Sequence, residues 1–303
     1  MGASNMPEAE VDIDSDLVRR LLTVQHPDLA GLELTEIANG WDNVMFRLGD
    51  DYVVRLPRRE QSAELIEYEQ RWLPETALRL PIPIPVPIRF GKPSSSYPWH
   101  WSVLPWLDGT TLGSSPVSNT RQLAIDLGEF LRAMHIPAPA DSPVNDYRGV
   151  PLAERSGFTL ERLDGIADIT GTVDADLARK VWQTALEAEL WSKPPVWLHG
   201  DMHPLNLLQT DGRLSAVIDF GDITSGDPAS DLGVAWMLFD SEDRALFREI
   251  ANSTERVIDD PTWERARGWA LSIALMVLAN SADNPLLHSL GEITLEAVLS
   301  DGS

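Results

Sequence analysis

Between Trp197 and Asp222 the chain reads WLHGDMHPLNLLQTDGRLSAVIDFGD, which sets Asp201, Asn206, Asp219, His199 and His203 among apolar residues typical of buried strands. The runs "LNLL" (205–208) and "LSAVIDF" (214–220) flank Asp211-Gly212, the strongest short hairpin signal. With those two residues as the loop, Thr210 faces Arg213 and Asn206 falls opposite Val217, with Asp219 farther along the same face. Asn206 and Asp219 are then diagonal neighbours at about 7–8 Å between α-carbons, within reach of one shared cation. An amide oxygen and a carboxylate, with room for water and phosphate oxygens, suit magnesium carrying a nucleoside triphosphate. Asp201, just ahead of the hairpin, is left free to orient or deprotonate a hydroxyl, the division of labour that phosphoryl transfer needs.

These residues must be held by the elements around them. "DLVRRLLTV" (16–24) spaces its apolar residues as a helical stripe, after which "LELTEIA", "VMFRLG" and "YVVRLP" (32–38, 44–49 and 52–57) read as an antiparallel meander. Helical spacing returns over residues 62–73. "LPIPIPVPI" (80–88) gives up most ladder donors and is expected to run extended as a connector. One more strand is expected in "WHWSVLPWLDGTTL" (99–112), broken at Pro105 and released at Gly109. Beyond it, Leu123, Leu127, Phe130, Leu131 and Met134 share one helix face behind the caps "SNT". The rest is mostly helical, so a small β-rich half (1–106) precedes a larger helical half (107–303).

Composition narrows the partners. Asp plus Glu number 47 against 24 Lys plus Arg, a net charge of -23 that repels phosphate polymers, so no nucleic-acid partner is expected. The absence of cysteine excludes disulfides and thiolate metal sites and fits a reducing cytoplasm, the expected location. The first sixteen residues lack the apolar core of a secretory signal, and "WALSIALMVLA" (269–279) is too short to span a membrane, so it is expected to be a buried helix. Eleven tryptophans are many; most are expected in the core, and any lining the site would suit a bulky acceptor. In an extended segment His199, Asp201 and His203 alternate onto one side, as in a metal-dependent hydrolase. That alternative leaves Asn206 and Asp219 unexplained.

"HGDMHPLN", with Asp201 and Asn206 five apart, followed by "DFG" at 219–221, resembles the catalytic and metal loops of eukaryotic-like kinases. More closely, "WLHGDMHPLNLL" with "VIDFGDITSGDPASDLG" is similar to the aminoglycoside phosphotransferase family, which includes macrolide phosphotransferases. "NGWDNVMFRLGDDYVVRLPRR" and "VLPWLDGTTL" extend the similarity over most of the chain. The resemblance implies an α+β, protein-kinase-like bilobal fold. It implies Asp201 as catalytic base, Asn206 and Asp219 on Mg2+, and His199 as a brace for the loop. His203 is expected as a structural hydrogen-bond partner, and Asp227 and Asp231 as caps or anchors of the next helix.

On the nucleotide side, Arg55 stands where kinases usually carry a phosphate-binding lysine. Glu69 is its candidate helix partner, with Glu64 and Glu67 as competitors. Gly40 and Asn43, in "NGWDNVMF", are expected to turn backbone donors toward phosphate. Backbone groups near Val103 to Trp106, Leu104 and Trp106 among them, are expected to read the purine edge, with Pro105 removing one donor. The expected reaction moves the γ-phosphoryl group of ATP or GTP to a hydroxyl of a small molecule that can be cationic. An aminoglycoside-type or macrolide antibiotic is favoured, with choline-like or sugar acceptors second.

Overall fold

In the computed structural model, which describes residues 8–114, 117–170, 174–252, 257–281 and 283–301, Asp14 opens the first helix by accepting from Leu17 N at 2.7 Å. That helix, α1 (Ser15–Gln25), buries the expected stripe of Leu17, Val18, Leu21 and Leu22. Residues 1–7, part of the segment read for a secretory signal, lie outside the described residues. The chain divides into two compact units.

The first unit comprises Met1–Arg79, Pro83–Asp108 and Asp219–Gly221. Its strands are β1 (Leu34–Asn39), β2 (Asn43–Leu48), β3 (Tyr52–Pro57), β4 (Arg89–Gly91) and β5 (Trp101–Pro105), and α2 (Glu60–Thr76) lies between β3 and β4. They form one antiparallel sheet in the order β1-β2-β3-β5-β4. Phe46, Leu48, Val54, Leu56 and Val103 project from it onto α1, Tyr97 and Trp101 to make the core. Most of residues 80–88 stay outside regular structure, as the alternating prolines require. The three-residue β4 was not expected, being too short to show a period.

The second unit comprises Leu80–Ile82, Gly109–Ile218 and Asp222–Ser303. It contains β6 (Thr110–Thr111), α3 (Thr120–Met134), α4 (Ser156–Thr170), α5 (Ala175–Glu187), β7 (Val196–Leu198), β8 (Leu207–Thr210), β9 (Arg213–Val217) and β10 (Thr224–Gly226). Five helices complete it: α6 (Ala229–Leu232), α7 (Ala235–Leu238), α8 (Ser241–Ala251), α9 (Asp260–Asn280) and α10 (Pro285–Ser300). The long α9 packs against α4, α5, α6 and α10 and buries Trp269 through Ser272 together with Ala274 and Leu275. Among the described residues no helix is long and apolar enough to cross a membrane.

The hairpin expectation needs one correction. Asp211 (φ 52°) and Gly212 (φ 74°) form the two-residue loop, and Thr210 faces Arg213 as expected. Gln209 then pairs with Leu214 but Leu208 with Ala216, leaving Ser215 as a bulged extra residue. The bulge lies where Gly109 passes close: a Cβ there would sit 2.6 Å from Ser215 Oγ. One extra residue shifts the register, so Ile218 N donates to Asn206 O at 2.9 Å and Asn206 does not face Val217. Asn206 also closes a 3-10 turn, Pro204–Asn206, outside the strand. Asn206 and Asp219 therefore do not share a strand face by alternation: Asn206 lies in the 3-10 turn and Asp219 follows β9 with a positive φ.

Candidate active site

β7 delivers the chain to the site. Val196, Trp197 and Leu198 are all buried, and β7 pairs with β10 so that Leu198 faces Thr224. At Gly200 the backbone adopts φ 88°, and a Cβ would lie 2.1 Å from Asp222 O, so only glycine fits here. Gly200→Ala is expected to cost more than about 2 kcal/mol, from the left-handed backbone plus the clash, measured as a lowered urea midpoint.

The turn is tied down from below by Asp231, which is fully buried. Its Oδ2 accepts from His199 N at 2.8 Å and lies 3.1 Å from His135 Nε2, while Oδ1 accepts from Gly200 N at 3.0 Å. Asp231 sits inside α6, but its carboxylate serves the loop, a role the sequence reading gave only to the helix. Asp227 does cap α6, accepting from Ala229 N at 3.0 Å, and also receives a buried two-point contact from Arg265 at 2.6 and 3.2 Å.

The two histidines are structural. His199 Nε2 donates to Ile218 O at 2.9 Å, and its Nδ1 accepts from Asp201 N at 3.2 Å. With both ring nitrogens engaged by the loop, His199 is not a metal ligand, and among the described residues no group of three or more His, Asp or Glu is placed to hold a metal. The hydrolase alternative loses its centre. His203 Nδ1 accepts from Leu205 N at 3.2 Å, capping the 3-10 turn, so that Nε2 carries the hydrogen toward Asp201 Oδ2 at 3.2 Å.

Asp201 is thus gripped from both sides, with Arg148 Nη2 donating to its Oδ1 at 3.0 Å. Desolvation pushes its carboxyl upward, but His203, Arg148 and His199 outweigh this and hold it well below the usual carboxylate range. Asp201 therefore contributes stability above the ordinary carboxylate range, lost only as pH falls through the lowered folded value. Between about pH 5 and pH 8 it stays ionised, so the pH profile of kcat/KM is expected to show no acid limb from Asp201. A limb in that window that moves in Asp201→Glu overturns this assignment. The amide of Asn206 donates to Asp201 O at 2.9 Å, which leaves Asn206 Oδ1 as the ligand atom it can offer.

Within the first unit, Arg55 is the hub. Buried on β3, it places Nη1 3.0 Å from Glu69 Oε1 and Nη2 2.8 Å from Asp219 Oδ1. With its amide oxygen turned inward, Asn43 accepts from Arg55 Nη2 and Nε at 3.0 and 3.2 Å. Glu64 is taken by Tyr68 and Glu67 by His100, which leaves Glu69 as the partner. Burial lowers the Arg55 guanidinium, but Glu69 and Asp219 more than offset this, so it stays cationic above its ordinary value. Burial raises Glu69 to about 7 against the pull of Arg55. Both shifts are upward, which favours the charged guanidinium and disfavours the charged carboxylate, so Arg55, held by a second carboxylate, is the member whose charge is secure. Asp219 has φ 63°, a left-handed conformation uncommon for a residue with a side chain.

Two nucleotide expectations change. Gly40 N donates to Asn43 O at 2.9 Å and closes the β1–β2 turn, so it is not a free phosphate donor, and Asn43 turns inward to Arg55. At the end of β5, Trp106 N donates to Asp51 O at 2.7 Å. Leu104 shares that side by alternation, opposite Val53. Pro105 faces the other edge with a carbonyl and no N–H. The hinge edge thus offers an acceptor in place of the expected donor set. Of the second unit's tryptophans, Trp182, Trp197, Trp236, Trp263 and Trp269 are buried and belong to its core, while Trp191 is half-buried.

A β-rich unit built around a buried Arg55–Glu69 pair and carrying Asp219, followed by a helical unit that pins Asp201 in a braced loop, defines an α+β kinase-like phosphotransferase. A family model described as the phosphotransferase enzyme family (APH) matches residues 33–269, and the chain belongs to that family. No curated protein sequence matches the chain significantly. Among solved structures, the GDP complex of aminoglycoside 2'-phosphotransferase-IIIa is 19% identical, with TM-score 0.65 over 96% of this chain and 100% of that one. A streptomycin-ATP complex of APH(2")-IIa is 18% identical, with TM-score 0.59 over 94% and 99%. Macrolide 2'-phosphotransferase MphH from Brachybacterium faecium is 22% identical, with TM-score 0.59 over 93% and 97%. At these identities the likeness carries the fold. The chain is a small-molecule phosphotransferase by family.

Proposed function

We propose that the chain transfers the γ-phosphoryl group of ATP or GTP to a hydroxyl of a small molecule, with Asp201 as the acid that meets the acceptor. The observation that carries this reading is the pinned Asp201 loop: Asp231 holds its backbone, and His203 and Arg148 hold the carboxylate itself. A carboxylate with both oxygens engaged is a weak base, which suits a loose transition state in which the acceptor hydroxyl needs orientation more than early deprotonation.

Asn206 Oδ1 and Asp219 are the proposed magnesium ligands. Their oxygen chemistry fits this hard cation, and the Asn206 amide nitrogen is already committed elsewhere. When bound, magnesium neutralises charge on the nucleotide phosphates. Arg55 keeps Asp219 in place through the 2.8 Å contact, and the one N–H left on its Nη1 suits a phosphate oxygen. Pro105 O is the hinge acceptor offered to the purine.

Aminoglycoside-type or macrolide antibiotics are the acceptors that the family resemblance suggests, with choline-like and sugar alcohols as the second reading. The guanidinium on Asp201 favours those that are not polycations. The test is release of nucleoside diphosphate from MgATP and MgGTP by purified protein, scored against aminoglycosides, macrolides and metabolite alcohols. Acceptor-dependent release that stops with EDTA is expected. Release that ignores both acceptor and metal would count against the reading.

A further inference from the structure

Between α3 and α4 the chain runs as IPAPADSPVNDYRGVP (136–151), whose four prolines cannot supply the N–H groups of a sheet ladder. It is fastened at separate points instead. At its start Trp197 N donates to Ile136 O and Ala138 N to Pro195 O, both at 2.9 Å, which lays residues 136–138 along β7. In its middle Pro143 O accepts from Ser225 N at 3.1 Å and from Thr224 Oγ1 at 3.0 Å, both on β10. Near its end Gly149 O accepts from Asp227 N at 2.9 Å, and a Cβ on Gly149 (φ 67°) would lie 2.5 Å from Leu198 Cδ1.

Asn145 and Arg148 lie between the last two fastenings. Asn145 uses both ends of its amide: Nδ2 donates to Asp222 Oδ1 at 2.7 Å, and Oδ1 accepts from Tyr147 N at 2.8 Å. The second bond is the turn that asparagine makes with the backbone two residues on. Arg148 therefore leaves a backbone fixed at Tyr147 on one side and at Gly149 on the other, and its Nη2 reaches Asp201 Oδ1 at 3.0 Å. The Arg148 side chain is 16% exposed and that of Asp201 31%, so the contact is better shielded than a surface ion pair while the acid stays open to a reactant. Arg148 Nε is buried with no hydrogen-bond partner among the described residues. The fold bears the cost of that unpaired donor to keep the guanidinium at this place.

We propose that residues 142–149 form a strap that aims the Asp201 carboxylate through Arg148, and that Asn145, whose own bonds go to Asp222 and Tyr147, is a positioning residue for phosphoryl transfer. This rests on the reading of Asp201 as the acid that meets the acceptor hydroxyl. A carboxylate turns readily about its last single bond, and in-line transfer tolerates little such turning. Two holds prevent it: Arg148 from the strap on Oδ1, and His203 from the cap of the 3-10 turn on Oδ2. Asn206 Nδ2, at 3.4 Å, takes the other lone pair of Oδ2. The second lone pair of Oδ1, beside Arg148, is left for the acceptor hydroxyl.

The test is a double-mutant cycle on transfer. The full chain is assayed for nucleoside diphosphate release from MgATP and MgGTP with kanamycin, erythromycin, choline or glucose, and with water as the background acceptor. Arg148→Gln is expected to lower kcat about 10–100-fold with a smaller change in acceptor KM, and Arg148→Lys to recover part of the loss. Asn145→Ala is expected to lower kcat about 3–10-fold alone and no further when combined with Arg148→Gln, because a strap that works only through Arg148 then has nothing to aim. MgADP binding by calorimetry and the urea midpoint establish that each variant is folded; Asn145→Asp, which keeps the turn and loses the donor to Asp222, replaces Asn145→Ala if that variant unfolds. Additive losses in the double variant would assign Asn145 to loop support through Asp222 and overturn the proposal, as would parental kcat in folded Arg148→Gln or in the folded Asn145 variant. With Asp201→Asn inactive, those results leave the reading of Asp201 standing. Parental transfer in Asp201→Asn, or release with no acceptor, water included, overturns that reading and the strap with it.

Discussion

Asp201→Asn lowers kcat for phosphoryl transfer by about 10²–10⁴-fold while nucleotide affinity stays within about twofold, because the substitution keeps the shape and removes the charge that meets the acceptor hydroxyl. The loss has two physical parts. The neutral amide cannot take the hydroxyl proton as it leaves. It also releases Arg148 and His203, whose contacts at 3.0 and 3.2 Å depend on a carboxylate, so the loop loses its electrostatic grip as well. Asp201→Glu keeps the charge but moves it by one methylene, and it is expected to recover little because hydroxyl and phosphorus must lie in line. The check is nucleoside diphosphate release under saturating nucleotide, alongside nucleotide binding by calorimetry. Transfer at the parental rate in Asp201→Asn would remove Asp201 from the chemistry.

Asp231→Ala has the largest expected effect on stability, about 3–5 kcal/mol, with activity collapsing in parallel. Its carboxylate is completely buried and accepts from His199 N and Gly200 N, with His135 as its third neighbour. Deleting it strands two buried backbone donors at about 1–3 kcal/mol each and leaves a void beneath the loop. Asp231→Asn preserves volume but presents an amide N–H to at least one of those donors, so it should rescue only part of the loss. The urea midpoint measures the stability, and the ratio of kcat loss to stability loss separates loop disorder from global unfolding. Unchanged stability in Asp231→Ala would mean that the loop is held by something else, with the His199 ring as the remaining candidate.

Local pattern explains why much of this molecule is legible. The α1 stripe, the β1–β3 meander and the α9 core are each written as a period of 3.6 or 2 with caps or turns at the ends, and each forms where that period runs. Asp211-Gly212 needs no context to make its turn, because its φ values favour those two residue types. Arg55, Glu69, Asp201, Asn206 and Asp219 were legible as residue types at motif spacing, and the pairing of Arg55 with Glu69 over Glu64 or Glu67 needed three-dimensional contacts to decide.

The register of β8 against β9 could not be read, because the bulge at Ser215 answers to Gly109, over a hundred residues away, and a bulge leaves no periodic trace. Trp106 and Gly40 were misread as available donors for the same reason: whether an N–H is free depends on which carbonyl the fold brings to it, here Asp51 O and Asn43 O.

From the chain alone came the phosphotransferase class, the residues proposed to carry its chemistry and the order of a β-rich and a helical part, since each is written in local motifs. Tertiary structure alone decided that Asp231 supports the Asp201 loop and that Arg148 and His203 hold the Asp201 carboxylate. Charges far apart in sequence have no interaction until folding excludes water between them, so their effects belong to the assembled chain.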